Sequence, residues 1–364
     1  MHSQTEPGNE EELAGASGIY CVMNLCLDAA PMKPPHLTFF VELPSEPLAT
    51  LFAQPGVMEC LVHGGHALSM GLLDLTPVRG AIVRQLEAAG VAVTAWLLLD
   101  VADGYWLNAD NPERARERYH QTIEWAAREG LRLHRVGLDI EFPRADADLI
   151  AREPRRGLLT LLRRRRTAAQ VAVAEQAYAA LVAEIRAGGR SVESYHFPHL
   201  LDERLARSTL LRRTLGLVDV SADAEVFMLY SSYLGRAGAH AYFTDAACIA
   251  LGVTGGGVNA GKPEELPRLL SWERLEAELL AAVMYTNEVY VFSLEGCVER
   301  GMLDRLASVD WSRARDVVVP AEQQRGRRRR ALFRGVLRLE GAIDVILPSR
   351  GRAKRETRNV KRKT

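Results

Sequence analysis

Asp139 and Glu141 stand two residues apart in RVGLDIEFP, a run whose other members are largely apolar. Alternate residues of an extended chain face the same side, with Cα atoms roughly 6.6 Å apart, so both carboxylates would enter one cavity. Two acids held this close repel when ionised, which raises the proton affinity of one and leaves an acid beside an anion. General acid catalysis with an electrostatic partner requires that combination. Two acids in an apolar strand are otherwise costly. The structural alternative is that Asp139 caps a loop or pairs with an arginine while Glu141 faces solvent.

Polar groups also end other short apolar runs: Glu42, His63, Asp100, His196, Tyr230 and Glu295. Glu295 in SLEGC is either a second carboxylate across from Glu141 or the start of a loop. The candidate catalytic set is therefore Asp139, Glu141, Tyr230 and Glu295. Asp100, Tyr105, Trp106, Tyr195, His196 and Met228 form the candidate substrate-contacting set, with Phe197 and Tyr233 as further aromatics near strand ends; aromatic residues pack rims equally well. His63, His66, His196 and His199 admit a metal reading, in which Glu42, His63, Glu141 and His196 hold a divalent ion. No spacing is diagnostic of such a site, so the cofactor expectation is none, with a divalent metal as the alternative. The glycine-rich stretch Gly252 to Gly261 reads as a lid or as an anion-cradling loop, and Pro263 after Lys262 departs from the nucleotide-binding GxxxxGK[ST] pattern.

These residues need a scaffold that brings strand ends together. The chain repeats one theme eight times: a short run rich in β-branched or aromatic residues, a turn, then helical periodicity. The strand runs are Leu37 to Pro44, Met58 to Gly65, Val91 to Asp100, Arg135 to Pro143, Ser191 to Pro198, Glu225 to Ser232, Ala247 to Gly256 and Glu288 to Gly296. Helices are expected over Asn111 to Gly130, opened by Asn-Pro and closed by glycine, and over Arg156 to Gly188 and Ser271 to Thr286. Eight alternating units imply an α/β protein with a closed parallel (β/α)₈ TIM barrel, rather than an open sheet, and its C-terminal rim is where catalysis would sit.

Three of these strands resemble a known family. GLDIE on the fourth, FMLY (Phe227 to Tyr230) on the sixth and IALGVTGGG (Ile249 to Gly257) on the seventh are similar to strands of the family 18 glycoside hydrolases, the chitinase-like barrels. The resemblance implies a fourth-strand DGxDxDxE pattern ending in the acid, and a sixth-strand Met-x-Tyr, matched by Met228 and Tyr230, whose Tyr holds the substrate acetamide. With Gly137, Leu138 and Asp139 on the pattern, Glu141 falls where the family has Asp and Pro143 where it has the catalytic Glu. The resemblance then implies that Glu141 serves as acid or that hydrolysis is lost. A D-x-E pair also occurs on the fourth strand of the lysozyme-like family 25 barrels.

Composition sets the bounds. Of the 364 residues, 48% are hydrophobic and 25% charged, enough apolar material for a large core. The formal net charge of zero conceals an asymmetry: from Arg325 onward there are about 15 Lys and Arg against about 3 acids, so the body is near −12 and the tail near +12. Five dispersed cysteines (Cys21, Cys26, Cys60, Cys248, Cys297) without metal-type spacing read as reduced thiols. The acidic N-terminus lacks the order of a secretory signal and no apolar run is of spanning length, so a cytoplasmic location is expected. The expected organisation is a leader with a possible extra strand over 1–35 (Gly18 to Asp28 being the strand candidate), the barrel over 36–315, and a basic, partly disordered extension over 316–364. In that extension Leu332, Val336, Leu339 and Ile343 suggest an amphipathic helix. The arginine runs 163–166 and 327–330 read as solvated faces, and the tail could contact nucleic acid or an anionic surface.

The reading is a glycoside hydrolase-like barrel that acts on or binds a carbohydrate, with a small molecule or oligosaccharide as ligand. Its rivals are a metal-dependent sugar isomerase or epimerase, and a non-catalytic barrel that binds glycans or protein partners.

Overall fold

The computed structural model describes residues 35–257, 269–316 and 320–340, together with Ile343 and Ile346; the strand candidate at Gly18 to Asp28 lies outside them. The first half runs β1 (His36–Val41), α1 (Ser45–Phe52), α2 (Val57–Gly64), β2 (Ala67–Leu72), α3 (Pro77–Ala88), β3 (Val93–Leu97), α4 (Pro112–Glu129), β4 (Arg135–Ile140), α5 (Arg144–Arg152), α6 (Pro154–Arg164) and α7 (Ala168–Ala187). The second half runs β5 (Ser191–His196), α8 (His199–Ala206), α9 (Leu210–Leu215), β6 (Ala224–Met228), α10 (Ser231–His240), β7 (Cys248–Gly252), α11 (Trp272–Ala282), β8 (Glu288–Phe292), α12 (Leu294–Glu299), α13 (Leu303–Ala307) and α14 (Pro320–Arg338). Each strand pairs in parallel with the next, and β8 pairs with β1, so the sheet closes as an eight-stranded barrel.

Strand alternation sorts the side chains into two cores. Phe39, Val41, Leu97, Leu138, Ile140, Val192, Ile249 and Val291 point outward into the layer under the helices. Phe40, Trp96, Tyr195, Val226, Cys248, Ala250 and Tyr290 point inward and fill the barrel. Bulk inside is balanced by small neighbours: Gly137 on β4 leaves the space occupied by the Tyr195 ring, and a Cβ there would collide with it. The Tyr195 hydroxyl accepts from or donates to Ser69 Oγ at 2.6 Å and donates to the buried Glu193 at 2.9 Å.

Several expectations are corrected here. MECLVHGG is not a strand but most of α2, which buries Val57 and Leu61 one turn apart and ends on Gly65 at φ 60°. The strand is the fully buried ALSMGL that follows. Eight apolar-rich residues suit either element, and only packing separates them. The helix expected over Arg156 to Gly188 breaks near Arg165, and Thr167 with Gln170 forms a capping box that restarts it as α7. Within the run 163–166, Arg163 and Arg164 are exposed, but Arg165 is buried and Arg166 pairs with Asp110, so the solvated-face reading holds for the first two alone.

The C-terminal extension is also different from the expectation. Its helix α14 packs on α8 and α10, but through Gly326, Arg330 and Leu337, which are buried, while Leu332, Val336 and Leu339 are exposed. Arg330 decides the orientation. Its guanidinium donates to Asp202 at 3.0 Å and Asp245 at 2.7 Å, and stacks 3.8 Å over the Tyr242 ring. Glu340 accepts from Ser208 at 2.8 Å and pairs with Arg213 at 2.8 Å. Charge pairing has therefore overridden the apolar stripe.

Candidate active site

A cavity of about 500 Å³ opens at the C-terminal end of the strands, the position expected for a working site in this fold. Glu42 follows β1, Asp139 lies on β4 and Glu141 just beyond it, and all three line this cavity. The β3–α4 connection holds the D-x-E stretch extended: Leu107 N–H donates to Asp139 O at 2.9 Å, and Glu141 N–H donates back to Leu107 O at 3.1 Å. That connection is itself pinned by Asn108 and Asn111, whose amides donate to Trp106 O at 3.0 and 2.9 Å. Asn111, read from sequence as a helix cap, makes no side-chain cap bond to α4.

Asp139 is buried, and Trp96 Nε1 donates to its Oδ2 at 3.1 Å. Its Oδ1 has no partner of ordinary hydrogen-bond geometry among the described residues, and the Glu141 carboxyl is its neighbour. Burial pushes both carboxyls well above the usual carboxylate range, Asp139 further through the charge of Glu42 and Glu141 further through the charges of Asp139 and Glu42. Hydrogen bonding separates the roles. The contact between the two favours the ionised form of Asp139 and the protonated form of Glu141, and the Trp96 indole also favours the Asp139 anion. Hydrogen bonding thus favours Glu141 over Asp139 as holder of the proton, within a pair whose proton affinities are both raised.

Glu42 forms a short hydrogen bond with the Tyr105 hydroxyl. Burial and the Glu42 charge hold the Tyr105 phenol above its ordinary range, so it stays the donor. Tyr105 sits in the left-handed region at φ 68°, an unfavourable conformation for a tyrosine that the surrounding contacts maintain. Tyr230, at the N-terminus of α10, lines the same cavity, and burial together with the charges of Asp139 and Glu141 keeps its phenol protonated. Two glycines allow the close approach of the loop after β7. Gly256 and Gly257 both have φ 72°, and a Cβ would strike the Glu295 side chain at the first and Phe292 and Glu42 at the second.

The expected site residues separate into three groups. Asp139, Glu141, Tyr230, Met228, Tyr195 and Trp106 line the cavity, and Tyr105 reaches it through Glu42. Glu295 stands behind Glu42, accepting the Glu42 N–H at 3.2 Å; burial pushes its carboxyl up to about 7, against hydrogen bonds that lower it. Asp100 and His196 do not join the site. Asp100 is exposed beside a single 3-10 turn at Val101–Asp103. His196 points to the outer side of β5 against Phe227, and burial lowers its imidazole to about 4.

The metal alternative loses its ligand set for the same reason. His63 is on the exposed face of α2 with Nδ1 against Glu59 O, and His196 faces the helices, while Glu42 and Glu141 face the cavity. Among the described residues no group of three or more His, Cys, Asp or Glu is placed to hold an ion. Residues missed from sequence are Trp96, Phe40 and Phe292. Their signal was available as inward alternation: Phe40-x-Glu42, Thr94-x-Trp96 and Tyr290-x-Phe292 each place an aromatic in step with a polar neighbour.

No protein-family model matches the chain, and no curated protein matches it. Among solved structures it is similar to a family 18 chitinase, ChiB, of Flavobacterium johnsoniae (TM-score 0.44, 11% identity, 77% of this chain and 94% of that one). It is also similar to the PgaB (BpsB) glycoside hydrolase domain of Bordetella bronchiseptica (TM-score 0.43, 9% identity, 75% and 98%). A D-psicose 3-epimerase of Clostridium cellulolyticum is a further neighbour (TM-score 0.37, 11% identity, 78% and 99%). Among the described residues no helix is long and apolar enough to cross a membrane.

Proposed function

We infer that the barrel is a glycoside hydrolase-like enzyme in which Glu141 donates a proton to a glycosidic oxygen. The observation that carries this reading is the Asp139–Glu141 pair in an aromatic-lined cavity, with both carboxyls held well above the usual carboxylate range. A carboxyl kept protonated near neutral pH can act as acid where an ordinary one would be spent. Asp139, held by Trp96, is the anion beside it. Glu42, fixed by Tyr105, adds negative charge where positive charge would develop on the sugar.

Tyr230 would hold the substrate or intermediate, and Trp106 would offer a face to the sugar ring. The sixth-strand Met-x-Tyr of the chitinase-like barrels supports the Tyr230 role by resemblance. Pro143, at the position of that family's acid, precedes α5 as its N-cap and supplies no carboxyl, which leaves Glu141 to do the work.

The test is release of product from a panel of aryl glycosides and N-acetylglucosamine oligomers by the wild type and Glu141→Gln. Turnover that falls by about a thousandfold in the variant supports the reading, in line with the loss of a general acid. Turnover unaffected by the substitution contradicts it, and saccharide binding without turnover would favour a non-catalytic glycan-binding barrel.

A further inference from the structure

The cavity is chemically two-sided. The hydrogen-bonding groups Glu42, Asp139, Glu141 and Tyr230 gather over the barrel mouth, and Tyr233, beside Leu234 on α10, adds a phenol to the lining. The wall supplied by the connections after β4, β5 and β6 and by α14 is built from Ile150, Leu211, Leu215, Leu217, Leu234 and Phe333. Apart from Leu217 these side chains are only partly buried, so they present apolar surface to the cavity. His199 in this sector is turned edge-on to Phe333, with ring centroids 5.4 Å apart, and burial lowers its imidazole, so it adds no charge.

A sugar carries hydroxyls on every side. Against this wall they would lose their water partners without replacement. A hydrocarbon or aromatic group there would instead be removed from water at a gain that grows with its length. The apolar wall is continuous with the carboxylate end and part of the same cavity, so one molecule can span both.

We propose that the substrate is an amphiphilic glycoside: a sugar over the carboxylates, joined to an apolar aglycone, alkyl or aromatic, that lies against the Leu211, Leu215 and Phe333 wall. This rests on the glycoside reading above and deepens it. Protonation of the glycosidic oxygen by Glu141 breaks the bond between the anomeric carbon and that oxygen, releasing the aglycone as an alcohol or phenol; water then supplies the hydroxyl that completes the sugar, and its remaining proton returns to the Glu141 carboxylate.

The test is a calorimetric binding ladder with Glu141→Gln protein, which prevents turnover. The probes are methyl, butyl and octyl glycosides of glucose, galactose and N-acetylglucosamine, each below micelle formation, with octanol as the sugar-free control. For the sugar that fits, affinity should rise at least about tenfold from methyl to octyl, and the ladder should flatten in a second variant that adds Leu215→Gln. Because the rise is read on the intact wall, a poorly folding Leu215 variant does not obscure it. Methyl and octyl glycosides binding within about twofold of each other would overturn the proposal and leave the glycoside reading intact. Octyl glycosides binding alike whatever the sugar, and no better than octanol, would overturn both.

Discussion

The indole Nε1 of Trp96 donates a 3.1 Å hydrogen bond to Oδ2 of Asp139 across the β3–β4 pair. It gives a buried carboxylate a donor that favours its ionised form, and so bears on which of the two acids keeps the proton. Trp96→Phe should keep the ring's packing but remove that donor. A hydrogen bond to a charged group is worth about 1.5–3 kcal/mol, so kcat should fall by roughly 10- to 100-fold with little change in KM, as steady-state kinetics would show.

Asp139→Asn removes a charge that raises the Glu141 carboxyl. Glu141 would then release its proton at lower pH, and the alkaline limb of kcat/KM should move down, in addition to any loss of rate. An unmoved limb would show that another group sets it.

Glu295 makes a prediction about stability. Its carboxyl is raised by burial from 4.5 to about 7. Below the unfolded value both states are protonated and nothing is lost. As pH rises toward 7 the unfolded chain ionises first, so the contribution falls, and it is fully lost above the folded value. Glu295→Gln keeps an oxygen for the Glu42 N–H, and should therefore match the wild type near pH 4 but exceed it by about 3 kcal/mol near pH 8 in urea unfolding.

Arg330 should be a principal anchor of α14. Arg330→Ala leaves Asp202, itself fully buried, without its closest guanidinium. Removing one partner of a buried pair costs about 3 kcal/mol or more, which the urea midpoint would report. Phe333 comes from the same helix and lines the cavity, so the ligand affinity of this variant should fall as well.

The barrel was legible because seven of the eight runs rich in β-branched or aromatic residues do form strands, alternating with helical stretches, and because the β4 run carries its two acids in step. What sequence could not resolve was which of two neighbouring apolar segments forms β2; once MECLVHGG is helical, His63 leaves the rim with it. His196 was misplaced by a single step of the strand, since Tyr195 fills the interior and its successor must face out. The orientation of α14 escaped because it depends on Asp202 and Asp245, more than 80 residues away in sequence. Glu42 was read as a polar strand end and a candidate metal ligand rather than as part of the catalytic set, and its tie to Tyr105 depends on a positive φ that no pattern announces.

The most direct test of the account is a carbon-13 NMR titration of the glutamate and aspartate side-chain carboxyls, with Glu141→Gln and Asp139→Asn spectra to assign the pair. Glu141 should keep its proton well above the ordinary carboxylate range, and its titration should move down when Asp139 is neutralised. Two resonances that both ionise near pH 4, each indifferent to the other's substitution, would contradict the shared-proton pair on which the proposed chemistry rests.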